Sequence, residues 1–203
     1  MKPFNKNSAV VGGYENRAVG LVIVCIILAI LFMYYFTIYG ISNQSACAVN
    51  GKFYMVHNAH DNQAEAAKQM AEIDRRIEKL LRAPEFAAKY PEIIASYSFT
   101  KLIENSPKNR ENTTSYVDAD HMALCLRSEF GDIEDINTLM FVALHEISHY
   151  VTIKDDDDHG REFWLIFRDI LLAAKTEGII DLINYRDKPI RYCGLLIDYN
   201  PAL

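Results

Sequence analysis

Two histidines, His145 and His149, stand four residues apart in a segment whose apolar residues repeat at three- and four-residue steps. This repeat runs from about Asp135 to Val151 and predicts an α-helix. An α-helix turns about 100° per residue, so residues four apart lie one turn above each other on the same face. The two imidazoles can therefore share one metal ion, as in the H-E-x-x-H pattern that this segment matches.

Glu146 lies beside the two histidines but off the face that they share. It cannot complete that row of ligands, yet its carboxylate can reach a water on the metal, which is where a general base must be. Zinc in such a site lowers the pKa of its water toward 7 and polarises a carbonyl group. The pattern predicts a zinc metallopeptidase with Glu146 as the catalytic base. The competing interpretation is two histidines packed or solvated on an ordinary helix.

A catalytic zinc ion usually has three protein ligands and a water in the fourth position. We expect His159 to be the third ligand, because the nine residues after His149 can return the chain to the face of the helix it has left. Glu162 is the rival and would give a His-His-Glu site. It lies in a helix predicted from Gly160 to Lys175, whose apolar stripe faces the core, so His159 is preferred.

The longest apolar run extends from Ala18 to Ile41 and contains 24 residues without a charge. At a rise of about 1.5 Å per residue, such a helix can cross a hydrocarbon core about 30 Å thick. We therefore predict one transmembrane helix that anchors the chain in a membrane. A cleavable signal peptide is the alternative, because Ala46-Cys47-Ala48 offers small residues at suitable spacing.

The charge distribution predicts an orientation and a class of partner. Lys2, Lys6 and Arg17 precede the apolar run, so the positive-inside rule places the N-terminus in the cytosol and the catalytic part on the lumenal or exterior side. The formal net charge is −6, and because residues 1–17 carry +2, the remainder carries −8. A domain this acidic lacks the basic footprint of nucleic-acid binding, so the expected partner is a protein or peptide substrate.

Two further helical patterns precede the motif. Apolar residues from Ala66 to Leu81 mark an amphipathic helix that ends before Pro84. Asn62 with Glu65 resembles a capping box at its start. A less regular pattern predicts a second helical stretch from Pro91 to Glu104.

Strand patterns are fewer. Ser115 to Val117 and His121 to Arg127 predict a hairpin just before the motif helix. The edge of that hairpin could take up an extended peptide as an added strand. Near the C-terminus, Ile190 to Ile197 alternates enough to be a short strand or an extended segment on the core.

Other side chains that could take part in the chemistry have more than one interpretation. Tyr150, His121 and Tyr192 are candidates for stabilising an oxyanion, and the sequence does not choose among them. The run Asp155 to Asp158 indicates an exposed loop, or alternatively carboxylates that attract basic substrates or bind a second cation.

The remaining histidines and cysteines are scattered. His57 and His60 fall in a polar segment and are interpreted as solvated loop histidines. Cys47, Cys125 and Cys193 do not form a zinc knuckle or a redox pair. One disulfide among the three is compatible with an oxidising compartment, and buried free thiols are the alternative.

The motif region resembles a known family. His145-Glu146-x-x-His149, a short loop and then His159-Gly160-x-x-Phe163-Trp164 resemble the WLM and SprT-like zinc metallopeptidases, in which H-E-x-x-H is followed by H-G-x-x-F. The segments Leu124 to Arg127, Asn137 to Met140 and Tyr192 to Gly194 are similar to WLM-like proteins of large DNA viruses. The resemblance covers roughly residues 60–198. It implies a zincin domain with the three histidines as zinc ligands and Glu146 as the base.

Together these patterns predict an α+β fold: a minimal zincin-like domain with an active-site helix, packing helices and a small β-hairpin or sheet, preceded by a transmembrane helix. The expected organisation is a leader (1–17), a transmembrane helix (18–41), a juxtamembrane connector (42–60) and a zinc metallopeptidase-like domain (61–203). The predicted function is membrane-anchored, zinc-dependent peptide hydrolysis. The alternative is a catalytically idle membrane-bound interaction module, but a purely structural zinc site needs no base such as Glu146.

Overall fold

The structure is a computed structural model. It describes residues 19–33, 44–105, 114–118, 120–128, 130–152 and 159–203. The chain divides into two units, Met1–Ser42 and Asn43–Leu203. The second unit is a mixed α/β domain and contains the histidine motif.

The transmembrane helix predicted over residues 18–41 is contradicted. In the first unit, residues 19–33 form helix α1, and the other residues of the predicted span lie outside the described part. No helix among the described residues is long and apolar enough to cross a membrane. The 15 described residues of α1 would extend only about 22 Å, against the roughly 30 Å of a hydrocarbon core. The predicted membrane anchor and single-pass localisation were therefore wrong.

A five-stranded sheet forms the framework of the second unit. Its strands are β1 (Gln44–Val49), β2 (Lys52–His57), β3 (Lys101–Glu104), β4 (Tyr116–Val117) and β5 (His121–Leu124). They lie side by side in the order β1-β2-β3-β5-β4. The inner pairs β2–β3 and β3–β5 are parallel, whereas β1–β2 and β4–β5 are antiparallel. The predicted hairpin of β4 and β5 is thus confirmed and occupies one side of the sheet.

The segment interpreted as a connector, residues 42–60, instead supplies the first two strands. Asn50 and Gly51 join β1 to β2 and have φ values of 51° and 81°. Asn-Gly with positive φ is the preferred two-residue hairpin turn. Tyr54 and Val56 alternate with more exposed residues and are 5% and 0% exposed. The segment is therefore part of the domain core.

Five helices complete the unit: α2 (Gln63–Leu81), α3 (Pro84–Lys89), α4 (Pro91–Tyr97), α5 (Ile136–Ser148) and α6 (Arg161–Thr176). Helix α2 buries the predicted apolar face, including Met70, Ile73 and Ile77, and contacts β1, β2 and α5. The suggested capping box does not form. The Asn62 side chain makes no capping bond and instead donates to the Gly131 carbonyl oxygen.

The stretch from Pro91 to Glu104, predicted as helical, changes conformation midway. α4 ends at Tyr97, and β3 begins at Lys101. β3 lies between β2 and β5, so its backbone groups have strand partners on both sides. Tertiary pairing of this kind overrides a weak helical pattern.

Buried polar contacts hold these layers together. The Asp74 carboxylate on α2 accepts hydrogen bonds from the Tyr54 and Tyr97 hydroxyls at 2.8 and 2.9 Å and pairs with Lys52 at 2.7 Å. One carboxylate thus links α2 to β2 and α4. Because a buried charge is tolerated when it is paired and hydrogen-bonded, this cluster stabilises the packing.

A fully buried ion pair joins Glu104 and Arg127 at 2.6 Å, and both side chains are 0% exposed. Glu104 also accepts a hydrogen bond from the backbone N–H of His57 at 2.6 Å. His57 is only 3% exposed. The interpretation of His57 as a solvated loop histidine was therefore wrong, because β2 carries it into the core.

The C-terminal segment forms a second, two-stranded antiparallel sheet of β6 (Ile190–Tyr192) and β7 (Leu195–Ile197). Cys193 and Gly194 form the connecting turn, with φ values of 49° and 88°. A disulfide bond links Cys193 to Cys125, and Cys47 is a free thiol. The structure thus selects one disulfide from the alternatives that the sequence left open.

Candidate metal centre

Helix α5 positions the histidine motif. Its N-cap residue, Asp135, accepts hydrogen bonds from the backbone N–H groups of Asn137 and Thr138 at 2.9 and 3.1 Å. Nearly every residue of the helix is buried, which fixes its position in the core. His145 lies in its last turn, and His149 is the C-cap residue.

His159 approaches the same point from the start of α6. Its Nε2 lies 3.0 Å from the Nε2 of His145. The ligand atoms of His145, His149 and His159 all lie within 4.8 Å of one another. Two nitrogens on one tetrahedral zinc, each at about 2.05 Å, are roughly 3.3 Å apart. The three imidazoles therefore fit a metal ion of this size with small adjustments.

The protonation of His145 suits a metal ligand. Burial, together with positive charge on neighbouring His149 and His159, lowers the pKa of His145 to about 3. At neutral pH the His145 imidazole is therefore uncharged. A neutral imidazole is the form that binds metal ions.

Aromatic rings fix the orientation of the histidines. Phe163 stacks on His149 with ring centroids 4.6 Å apart, and it meets His145 edge-on at 4.7 Å. Phe167 contacts His145 at 5.2 Å. Because Phe163 and Phe167 also belong to the core face of α6, packing of this helix against α5 sets the geometry of the site.

The acidic candidates occupy different environments. Glu146 is 6% exposed and lies in the last turn of α5, between the two histidines in sequence. Glu162, the rival third ligand, is exposed on α6. Among the described residues, His145, His149 and His159 are close enough together to share a metal ion, and Glu162 does not belong to that group. The run Asp155 to Asp158 lies outside the described residues.

The three candidates for stabilising an oxyanion lie in different environments. Burial raises the pKa of the Tyr150 hydroxyl, and the nearby negative charge of Glu146 adds to this effect. Tyr192 is 2% exposed and donates to the Cys125 carbonyl oxygen. The ring nitrogens of His121 lie 2.9 Å from Asp120 and 3.2 Å from the Tyr116 hydroxyl. The influence of Glu146 on the pKa of Tyr150 indicates that the Tyr150 hydroxyl lies near the Glu146 carboxylate.

Two neighbours of the site were not identified from the sequence. The Thr100 hydroxyl is 2.5 Å from that of Tyr150, although the residues are 50 apart in sequence. The Tyr199 ring meets the Trp164 ring at 5.4 Å, and Trp164 lies 6.2 Å from His159. Neither contact has a local signal in the sequence, because each depends on how distant segments pack.

Comparisons with known proteins identify viral relatives. No family model matches the chain. It is 31% identical over 159 residues to the uncharacterized protein R325 of Acanthamoeba polyphaga mimivirus, a match that covers 74% of this chain and 79% of that protein. It is 29% identical over 113 residues to the uncharacterized protein 136R of Invertebrate iridescent virus 6, covering 54% and 62%. Both relatives are viral proteins, which agrees with the resemblance of the sequence to WLM-like proteins of large DNA viruses.

Among solved structures, the chain is similar to the crystal structure of Wss1 from Saccharomyces cerevisiae. The TM-score is 0.46 at 19% identity, and the match covers 60% of this chain and 85% of that chain. This is a distant likeness.

Proposed function

We propose that this chain, which belongs to the same family as the uncharacterized protein R325 of Acanthamoeba polyphaga mimivirus, is a zinc-dependent metallopeptidase. The observation that carries the proposal is the cluster of three imidazoles whose ligand atoms lie within 4.8 Å of one another, next in sequence to the buried Glu146. The sequence resemblance to WLM and SprT-like metallopeptidases supports the same assignment.

His145, His149 and His159 would hold the zinc ion through one ring nitrogen each. Three protein ligands leave a fourth position open, which is the arrangement of catalytic rather than structural zinc sites. When bound, zinc supplies Lewis acidity and makes water a nucleophile near neutral pH. The aromatic rings of Phe163 and Phe167 keep His145 in place.

Glu146 would act as the general base. Its position next to His145 on the last turn of α5 allows its carboxylate to accept a proton from the attacking water. The same group then donates that proton to the amine that leaves when the peptide bond breaks. A base beside the ligands has no use in a purely structural zinc site, which favours an enzyme over an idle interaction module.

The Tyr150 hydroxyl would stabilise the negative charge that develops on the carbonyl oxygen. A tyrosine hydroxyl is protonated at neutral pH, and burial raises the pKa of Tyr150 further, so this hydroxyl can donate a hydrogen bond. Thr100, at 2.5 Å, restricts the position of this hydroxyl. We therefore prefer Tyr150 among the three candidates.

The substrate would be an extended segment of a protein or peptide. β4 lies at one end of the strand order, and no described strand pairs with its outer edge. An extended peptide can add to such an edge through main-chain hydrogen bonds. The formal net charge of −6 is consistent with a protein substrate rather than a nucleic acid.

The test is hydrolysis of fluorescein-labelled casein by the zinc-loaded chain and its Glu146→Gln variant. The variant should keep one zinc per chain and its thermal unfolding midpoint, while turnover falls by several orders of magnitude. Glu92→Gln, which changes an exposed glutamate on α4, is the matched control and should turn over normally.

Undiminished turnover by the Glu146→Gln variant would contradict the proposed role of Glu146 as the general base. If the intact chain holds zinc but hydrolyses neither casein nor a mixed peptide library, the idle interaction module replaces the enzyme.

A further inference from the structure

His159 lies outside the helix that carries the other two histidines of the cluster. His145 is in the last turn of α5 and His149 is its C-cap residue, whereas His159 precedes Gly160, the N-cap residue of α6. The side chain of His159 is exposed. Because His159 does not lie within a helix, the side chains around its ring determine its orientation.

Two aromatic rings from the start of α6 lie beside the His159 ring. Phe163 meets it edge-on with centroids 4.7 Å apart, and Trp164 lies 6.2 Å away at an interplanar angle of 38°. Trp164 also lies 6.5 Å from His145. Phe163 is 2% exposed and belongs to the core, whereas Trp164 is only partly buried. The position of Trp164 therefore depends more on what packs against it from outside α6.

The segment after β7 supplies that support. The Tyr199 ring meets the Trp164 ring edge-on, with centroids 5.4 Å apart and an interplanar angle of 76°. Aromatic pairs favour this arrangement, because the positive edge of one ring faces the negative face of the other. Tyr199 thus packs on the first turn of the helix that follows His159.

Tyr199 is itself held in place by its neighbours. The Arg186 guanidinium carbon lies over the Tyr199 ring, 5.0 Å from its centroid, which is within the range of a cation–π interaction. The next residue, Asn200, is 3% exposed. Its side chain donates to the Ile183 carbonyl oxygen and accepts from the Ala202 N–H, both at 3.0 Å. The backbone at Tyr199 is therefore fixed to the domain, and the ring has a defined position.

We propose that Tyr199 is a positioning residue of the metal site: its ring holds Trp164 against His159 and fixes the direction from which this ligand approaches the ion. This inference rests on the proposed function, because it assumes that the histidines hold zinc. A group that is ordered before binding loses less conformational freedom on binding, so the affinity is higher. Because the ring makes the contact, the Tyr199 hydroxyl is not required.

The experiment measures metal binding rather than cleavage. Zinc affinity is obtained by competition with a chromophoric chelator, using the full chain well below its unfolding temperature. Tyr199→Ala should weaken zinc binding by about tenfold, a loss typical of removing a group that orients a ligand. Tyr199→Phe should bind zinc within about twofold of the intact chain, because it keeps the ring.

Tyr199→Leu distinguishes the aromatic ring from apolar bulk. It removes the aromatic edge and should weaken zinc binding by about threefold, the order that an aromatic pair contributes. If Tyr199→Ala does not fold, the Leu and Phe variants decide the question, and equal affinities of these two would overturn the inference. In a second measurement cobalt(II) replaces zinc, because its visible absorption reports coordination geometry. Tyr199→Ala should change this spectrum, and Tyr199→Phe should retain it.

Tyr116→Ala is the matched control, because Tyr116 also makes an edge-on ring contact with centroids 5.4 Å apart, in this case with His121. It should retain both the zinc affinity and the cobalt spectrum. The inference is overturned if folded Tyr199→Ala binds zinc as tightly as the intact chain with the same cobalt spectrum, or if Tyr116→Ala weakens binding as much.

Hydrolysis of labelled casein is scored separately. If zinc binding depends on Tyr199 but the intact chain does not hydrolyse casein, the positioning role stands and the proposed enzymatic function fails. If the zinc-loaded chain hydrolyses casein but Tyr199→Ala keeps full zinc affinity, the function stands and the positioning role fails. An intact chain that binds no zinc overturns both.

Discussion

The ring nitrogens of His145 and His159 lie 3.0 Å apart although a loop and a change of helix separate the two residues. Glu162, three residues later, is exposed on α6. If the histidines hold zinc, His159→Ala should weaken zinc binding well beyond the roughly tenfold loss expected of a residue that only supports a ligand. Glu162→Ala should retain zinc. The measurement is zinc per chain after dialysis, and loss of metal from the Glu162 variant alone would show that the third ligand was assigned to the wrong residue.

The sequence predicts which side chains lie together when those residues are close along the chain. The positions of His145 and His149 follow from the period of a helix, which requires no knowledge of the rest of the fold. By contrast, the pair of Glu104 and Arg127 joins residues 23 apart in sequence, and the hydroxyl contact of Thr100 and Tyr150 joins residues 50 apart. Such pairs depend on strand order and helix packing, which a pattern along the chain does not encode.

Helix α5 holds two of the three histidines, so its stability affects the site. Asp135 caps it by accepting two backbone hydrogen bonds. Asp135→Ala should lower the free energy of unfolding by about 1 kcal/mol. Asp132→Ala, at an exposed position in the preceding loop, should change it by less than about 0.5 kcal/mol. Denaturant unfolding of both variants tests the role of the cap, and equal losses would exclude it.

Elements with strong periodicity were predicted well, and those that depend on partners were not. The predicted helices at Ala66 to Leu81 and Gly160 to Lys175 correspond closely to α2 and α6. The hairpin of β1 and β2 was missed even though Asn50-Gly51 is a recognised turn signal. β3 was interpreted as the end of a helix, because its strand character comes from pairing with β2 and β5.

For the whole molecule, an apolar run of sufficient length was interpreted as a membrane helix, but the structure has no such helix among the residues that it describes. The run in the sequence is 24 residues long, and the described helix within it covers residues 19–33. Hydropathy reports composition, and within the described residues the helix in this run is shorter than a membrane span requires. The predicted α+β, zincin-like domain did not depend on the anchor, and the second unit is a mixed α/β domain.

The disulfide bond between Cys125 and Cys193 connects the C-terminal hairpin to the main sheet across 68 residues of sequence. Replacing both cysteines by serine should lower the free energy of unfolding by about 2–4 kcal/mol, since the bond restricts the unfolded chain. Cys47→Ser, which changes a free thiol, is the control and should have an effect of less than about 1 kcal/mol. Denaturant unfolding without reductant provides the comparison. An unchanged double variant would contradict the stabilising role.

We propose that the three histidines support zinc-dependent peptide hydrolysis. The most direct measurement is turnover of labelled casein by the intact chain after removal of metal with a chelator, before and after addition of one equivalent of zinc. We expect no turnover by the metal-free chain and recovery of turnover with one zinc per chain. Full turnover by the metal-free chain would contradict it.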